Sequence, residues 1–97
     1  MKEVYQGEIF SRGEENPFGT YFSGRSYLKM LTDRGVVIGN VTFEPGCRNN
    51  WHIHHGAGGG QILLCIGGRG WYQVWGEPAR ALRAGDVVVV PPEVKHW

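Results

Sequence analysis

Short runs of β-branched and aromatic residues, separated by glycine, proline and aspartate, extend along the chain. Glycine supplies 16 of the 97 residues, more than twice its usual share of roughly 7%. No segment keeps the apolar period of about 3.6 residues that a helix would need. The runs predict strands at residues 27–32, 36–43, 50–54, 61–66, 70–75, 79–83 and 86–90, with residues 3–10 as a further candidate.

This pattern indicates an all-β fold built from antiparallel sheets. Many short strands joined by turns are typical of a sandwich or a barrel. A parallel sheet would need crossover helices, and no helical segment fits between the strands. The longest irregular stretch, residues 11–25, is polar and rich in glycine but carries Phe18, Tyr21 and Phe22. We expect either a surface loop whose aromatic rings pack onto the barrel, or a lid or dimer contact.

Length and charge exclude several classes of protein. A chain of 97 residues has room for one domain, 1–97, with a thin core that a metal or a partner subunit would support. The net charge of +1, without a long Lys or Arg run, argues against nucleic-acid and membrane partners. No apolar stretch approaches the roughly 18 residues of a membrane span, and we find no secretory signal. Two cysteines without CxxC spacing favour a reducing, cytoplasmic setting.

Three of the four histidines lie in the stretch "NNWHIHHGAGGGQ". In an extended strand, residues i and i+2 face the same side, so His52 and His54 project together and can share a metal. A pair of core histidines held by hydrogen bonds explains this spacing equally well. His55 points the other way, and we expect it to be exposed, or to be an alternative ligand if the chain is distorted. The glycines at 56–60 are followed by a predicted strand rather than a helix, which excludes a phosphate-binding loop.

Two further residues are candidates for the same site. His96 follows the apolar strand at 86–90 and a double-proline turn. Gln61 begins the strand at 61–66, and its amide oxygen is a ligand that Mn²⁺ or Fe²⁺ accepts more readily than structural zinc does. Spacing alone favours a hydrogen-bonding role for Gln61 at the strand edge.

Residues 46–96 contain two motifs that resemble those of the cupins. The first cupin motif is Gly, five residues, His-x-His, a short gap, Glu, six residues and Gly. The second is Gly, five residues, Pro-x-Gly, two residues and His. The residues at the corresponding positions here are Gly46, His52, His54, Gln61 and Gly68 in segment 46–68, then Gly85, Pro91, Pro92, Glu93 and His96 in segment 85–96. The gap after His54 is longer than usual, and Gln61 replaces the Glu.

One subgroup of small bacterial cupins is similar even in these departures. It shares "VTFEPG", "WH-H", "GGQ-L", "GDVV" and "PP-VKHW" with this chain, and includes carboxymuconolactone decarboxylase-like proteins and manganese-dependent hydroxynitrile lyases. The resemblance implies a small cupin barrel. It also implies that one divalent metal per chain, Mn²⁺ first and Fe²⁺, Ni²⁺ or Zn²⁺ as alternatives, binds to His52, His54, Gln61 and His96.

The resemblance implies a metal-dependent enzyme with lyase or oxygenase chemistry on a small carbonyl- or hydroxyl-containing molecule, with partly aromatic compounds among the candidates. A neutral Gln61 would leave the metal its full charge as a Lewis acid. The alternatives are a non-catalytic module that binds a metal or small ligand, and a degenerate barrel whose histidines only form hydrogen bonds.

Strand alternation also predicts which residues line the barrel. The expected substrate-pocket residues are Gly39, Val41, Phe43, Leu63, Trp71 and Gln73, although plain core packing would explain each of them. Trp51 and Trp97 flank ligand histidines, and we expect them to buttress these residues.

The resemblance further predicts a homodimer in which residues 1–26, an N-terminal strand and loop, form an arm between subunits. Cupins continue past the second motif with another histidine and further strands. We therefore expect either a fragment or short form that lacks its last strands, or a partner subunit that covers the open sheet edge.

Overall fold

The computed structural model describes residues 9–56 and 59–97. Within these residues, the secondary structure consists of strands and one short 3₁₀ helix, Gly19–Tyr21. The strands are β1 Glu14–Glu15, β2 Phe22–Ser23, β3 Ser26–Thr32, β4 Ile38–Phe43, β5 Arg48–Asn49, β6 Gln61–Leu64, β7 Arg69–Tyr72, β8 Arg80–Arg83 and β9 Val87–Val90. Every strand pair is antiparallel. The predicted all-β architecture is therefore confirmed.

The chain divides into two compact units, Met1–Asn50 and Trp51–Trp97. The first unit contains a three-stranded sheet in the order β1-β3-β4 and a separate β2-β5 pair. Strand β3 pairs with β4 from Ser26↔Phe43 to Thr32↔Ile38, with a register shift between Met30 and Thr32.

The core of the first unit contains polar side chains that satisfy one another. Asn16 Nδ2 donates to Ser26 Oγ at 3.1 Å, and both residues are buried. The Tyr27 hydroxyl donates to the Glu44 carboxylate, and the Arg12 guanidinium lies 3.7 Å from the centroid of the Tyr27 ring. Because buried polar groups need partners, these contacts fix how β3 meets the segments around it.

The second unit contains two strand pairs, β6-β9 and β7-β8. Alternation in "DVVVV" places Val88 and Val90 inside, whereas Val87 and Val89 remain exposed. Tyr72 packs with the two buried valines, and half-buried Leu63, Val74, Leu82 and Val94 surround this core. The core is thin, as expected for a chain of this length.

Two predicted segments differ from what the structure shows. The strand predicted at 50–54 is present only as an isolated bridge between His52 and His96. The irregular stretch at 11–25 contains β1 and β2, because residues Glu14–Glu15 find hydrogen-bonding partners on β3. The candidate strand at 3–10 lies outside the described residues except for its last two positions, which form no strand.

No helix among the described residues has the length and apolar character to cross a membrane. The homodimer and its N-terminal arm at residues 1–26 stay predictions, and part of that arm lies outside the described residues.

Candidate metal centre

Three histidine side chains converge in the second unit. His52, His54 and His96 each offer a ring nitrogen, and these atoms all lie within 4.8 Å of one another. The ring centroids are 4.9 Å apart for His52 and His54, 4.3 Å for His52 and His96, and 5.3 Å for His54 and His96. Three imidazoles this close together can coordinate one cation.

Backbone hydrogen bonds hold His96 between two neighbouring segments. The His52 and His96 amides donate to each other's carbonyl oxygens, both at 3.0 Å. On the other side, Gln73 and Trp97 exchange an equivalent pair of bonds at 3.0 Å, and a second bridge joins Val74 to His96. His96 is only 2% exposed, so both its backbone and its ring are fixed before any ligand binds.

The His96 ring presents a lone pair to the cluster. Its Nδ1 donates to the Val94 carbonyl at 2.9 Å, which leaves Nε2 without a proton in the neutral ring. Burial lowers the pKa of His96, and the neighbouring His52 and His54 also lower it, against the opposing bond to Val94. The Gln61 Oε1 atom lies 3.2 Å from His96 Nε2. Two acceptors that face each other are best satisfied by a shared cation.

The His54 ring supplies an independent test of whether a metal fits. Its Nε2 atom is buried and has no hydrogen-bond partner. Such an atom costs roughly 1–3 kcal/mol unless something binds to it. Gln61 Oε1 and His96 Nε2, 3.2 Å apart, are close enough that both could bind one cation. The donor atoms therefore fit a divalent metal, while the complete set of His52, His54, Gln61 and His96 stays a prediction.

His55 does not belong to this cluster of three. Its side chain is exposed, and Nδ1 donates to the Glu93 carboxylate at 2.8 Å. The same carboxylate accepts from the Gly56 amide at 3.2 Å. The hydrogen bond from His55 and then the one from Gly56 lower the pKa of Glu93. The structure thus places the alternative ligand in an ion-pair geometry with another residue.

Tryptophan rings pack beside the segments that carry two of the histidines. The Trp51 ring meets the Trp75 ring edge-on at 4.9 Å between centroids and the Trp97 ring at 6.0 Å. Lys95 Nζ lies 3.9 Å from the centroid of Trp75. These contacts join the residue before His52 to the residue after His96. The buttressing of the histidines themselves by Trp51 and Trp97 stays a prediction.

Tyr72 is a site neighbour that sequence reasoning did not select. It is 7% exposed, and its ring centroid lies 5.9 Å from that of His96. Burial raises the pKa of its hydroxyl, while Arg80 has a smaller lowering effect and Glu77 a smaller raising effect. Alternation places Tyr72 and Trp71 on opposite faces, and Trp71, which the sequence predicts to line the pocket, is 62% exposed.

The predicted pocket residues lie in both units. Gly39, Val41 and Phe43 share one face of β4 in the first unit. Leu63, in the second unit, is half-buried on the same face of β6 as Gln61. Gln73 Nε2 donates to the Glu77 carbonyl at 2.8 Å. The assignment of these residues and Trp71 to a substrate pocket stays a prediction.

Comparison with known proteins places this geometry in a family. Residues 39–97 match the model of the cupin domain. The chain is 44% identical over 71 residues to an (R)-mandelonitrile lyase from Granulicella tundricola, in an alignment that covers 72% of this chain and 52% of that protein. This chain therefore matches about half the length of that curated relative.

A solved structure shows the same relationship. A cupin-like protein from Thermotoga maritima aligns with a TM-score of 0.82 and 45% identity, over 93% of this chain and 68% of that one. The segment matched by the family model contains the three clustered histidines and Gln61. With an all-β fold, both motifs and the family match in agreement, the chain belongs to the cupin family.

Proposed function

We propose that this cupin is a metal-dependent lyase that cleaves small aromatic cyanohydrins. The observation that carries the proposal is the cluster of His52, His54 and His96 with a buried, unpartnered His54 Nε2. The similarity to an (R)-mandelonitrile lyase supports the choice of substrate class. We propose Mn²⁺ as the metal, because an amide oxygen beside three imidazoles suits it better than it suits structural zinc.

The proposed reaction is a retro-addition. The cyanohydrin hydroxyl loses its proton, the bond between the carbinol carbon and the nitrile carbon breaks, and its electron pair leaves with cyanide. A carbonyl forms, and cyanide takes up a proton to give hydrogen cyanide. A divalent cation at the centre supplies Lewis acidity, which lowers the pKa of a bound hydroxyl.

The side chains of the second unit have distinct parts in this proposal. The bond from His96 Nδ1 to the Val94 carbonyl keeps the Nε2 lone pair aimed at the centre. Gln61 adds an oxygen donor without adding negative charge, so the electrostatic pull on a substrate oxygen remains strong. His52 and His54, on one extended segment, complete the face that holds the cation.

A non-catalytic metal- or ligand-binding module is the second candidate. Within residues 9–56 and 59–97, the ligand cluster contains three histidines and no carboxylate or thiol. A carboxylate close to the centre would be a natural proton acceptor. Its absence from the described cluster favours a binding role if the protein shows no turnover.

The test measures metal and turnover on one preparation. Metal content is determined by mass spectrometry after purification and after reconstitution of chelator-treated protein with Mn²⁺. Benzaldehyde release from (R)-mandelonitrile is followed by absorbance, with free Mn²⁺ and the His54→Ala variant as controls. We expect about one metal per chain and turnover only in the loaded wild type. Bound metal without turnover would reject the lyase and favour the binding module.

A further inference from the structure

Glu93 has an unusual backbone conformation beside the metal centre. Among residues 9–56 and 59–97, it is the one non-glycine residue with a positive φ, at 70°. In this region the Cβ atom crowds the backbone, so glycine is the residue that adopts it freely. A side chain that persists in this conformation must be held there by its contacts.

Four hydrogen-bond contacts tie Glu93 to residues 54–56. Its amide donates to the His54 carbonyl at 2.8 Å. Its carboxylate accepts from His55 Nδ1 at 2.8 and 3.1 Å, and from the Gly56 amide at 3.2 Å. Glu93 therefore holds three consecutive residues of the segment that carries His54.

The regular backbone pairing does not reach His54. The bridge between His52 and His96 is isolated, so no ladder continues from it along this segment. Pro91 and Pro92 have no amide hydrogen to donate. Glu93 is the first residue after them with an N–H, and this N–H is the one that reaches the His54 carbonyl.

We propose that Glu93 is a positioning residue of the metal centre, whose carboxylate holds the segment 54–56 so that the His54 ring stays within reach of His96. This inference rests on the proposed metal-binding function. It explains why a carboxylate occupies a position where the backbone favours glycine: glycine would relieve the crowding but could not hold His55 and Gly56.

The test compares Glu93→Gly and Glu93→Gln with the wild type. Chelator-treated proteins are titrated with MnCl₂ by calorimetry at neutral pH. Loss of a residue that orients metal ligands typically weakens metal binding by 10–100-fold, so we expect the Kd for Mn²⁺ to rise about 10-fold in Glu93→Gly. Glu93→Gln should rise less, since its amide oxygen still accepts a hydrogen bond. The matched control is Glu14→Gln, on exposed β1 of the first unit, and its Kd should not change.

A second measurement uses the metal-free protein and reports directly whether the His54 and His96 rings lie close together. The His54 and His96 rings, with centroids 5.3 Å apart, should give a nuclear Overhauser effect in the wild type. We expect this signal to weaken in Glu93→Gly and to recover in Glu93→Gln. A general loss of stability would weaken the signals of the Trp51–Trp75 pair as well, and we expect those to persist.

Reciprocal removal of the partner completes the test. His55→Ala should weaken Mn²⁺ binding in the same direction, and the double variant with Glu93→Gly should be no weaker than the worse single variant. An unchanged His54–His96 signal in Glu93→Gly would overturn the positioning role, whatever its metal affinity. If this signal weakens in Glu93→Gly but neither the wild type nor any variant binds Mn²⁺, the proposed metal-binding function is wrong. The role of Glu93 in positioning His54 would then still be supported.

Discussion

The two units of this cupin organise their side chains in different ways. In the first unit, β3 and β4 form a ladder from Ser26↔Phe43 to Thr32↔Ile38, and the buried Asn16 and Ser26 side chains bond to each other. In the second unit, the strands are four residues long, and the ring of its most buried polar residue, His96, has its Nε2 atom 3.2 Å from Gln61 Oε1.

This difference shows where a ligand is needed. In the first unit, the buried Thr42 hydroxyl also lacks a hydrogen-bond partner, but among the described residues no cluster of metal-ligating side chains surrounds it. Asn16 and Ser26 form a closed hydrogen-bonding pair in that unit. His54 Nε2 has no such partner in the second unit. A polar atom left unpaired in a buried place indicates a binding site when other donors converge on the same point. The four predictions below test this contrast, from the largest expected effect to the smallest.

Removal of one histidine from the cluster should strongly weaken metal binding by the second unit. We expect His54→Ala to weaken Mn²⁺ binding by at least about 100-fold, because the cation loses a direct ligand. Calorimetric titration of the chelator-treated protein checks this. His55→Gln serves as a control that keeps a hydrogen-bond donor near Glu93 and should remain within about threefold of the wild type. Unimpaired binding in His54→Ala would mean that the cluster is not the metal site.

Disruption of the hydrogen bond between Asn16 and Ser26 in the first unit should lower the stability of the protein and leave its metal affinity unchanged. Asn16 also accepts a hydrogen bond from the Phe18 amide at 2.9 Å. We expect Asn16→Ala to lower the free energy of unfolding by about 1–3 kcal/mol, because Ser26 and the Phe18 amide lose a partner. Urea denaturation of the metal-free protein measures this loss. The Kd for Mn²⁺ should not change, and a tenfold weaker Kd would show that the polar core of the first unit also supports metal binding.

A carboxylate in place of Gln61, the proposed neutral ligand, tests how ligand charge affects metal affinity and turnover. We expect Gln61→Glu to bind Mn²⁺ roughly tenfold more tightly, since ligand charge raises cation affinity. Turnover of mandelonitrile should fall, because the added charge reduces the acidity of a bound hydroxyl. Asn49→Asp adds the same charge in β5 of the first unit and is the control for general electrostatics. Equal affinity in Gln61→Glu and the wild type would argue that this side chain does not coordinate the metal.

The smallest expected effect concerns a thiol of the first unit. Burial raises the pKa of Cys47, with Ser26 lowering it and Glu44 raising it further. Between the ordinary and the raised pKa, the unfolded chain loses the proton first, so stability falls as pH rises through this window. Urea midpoints at pH 8 and pH 10 should therefore differ slightly more in the wild type than in Cys47→Ser. A larger pH effect in Cys47→Ser would contradict this.

Part of the centre could be predicted from local pattern. The i, i+2 spacing of His52 and His54 placed both rings on one side, and the structure has them 4.9 Å apart. The same reasoning predicted a full strand at 50–54, which is wrong in extent because only His52 finds a bridge partner. Side-chain direction depends on local extended geometry, whereas strand pairing depends on a neighbour that the local sequence does not specify.

The convergence of His96 on this pair was predicted only through the resemblance to cupins. Spacing along the chain contains no information about which distant segment pairs with which. For the same reason, the sequence did not indicate that Tyr72 is the buried residue of its strand: alternation separates two faces but does not say which one is buried. The conformation of Glu93 was not predicted at all, because its φ is maintained by contacts with His55 and Gly56.

The sequence by itself determined an all-β chain with short strands, the turns between them, and the residue types able to hold a cation. These follow from local preferences of glycine, proline and β-branched residues and from side-chain chemistry. Only the tertiary structure decided that His96 lies between two backbone neighbours, that Tyr72 is buried beside it, and that His54 Nε2 has no partner. Those outcomes depend on which distant groups share a small, water-excluded volume, and no local preference encodes that.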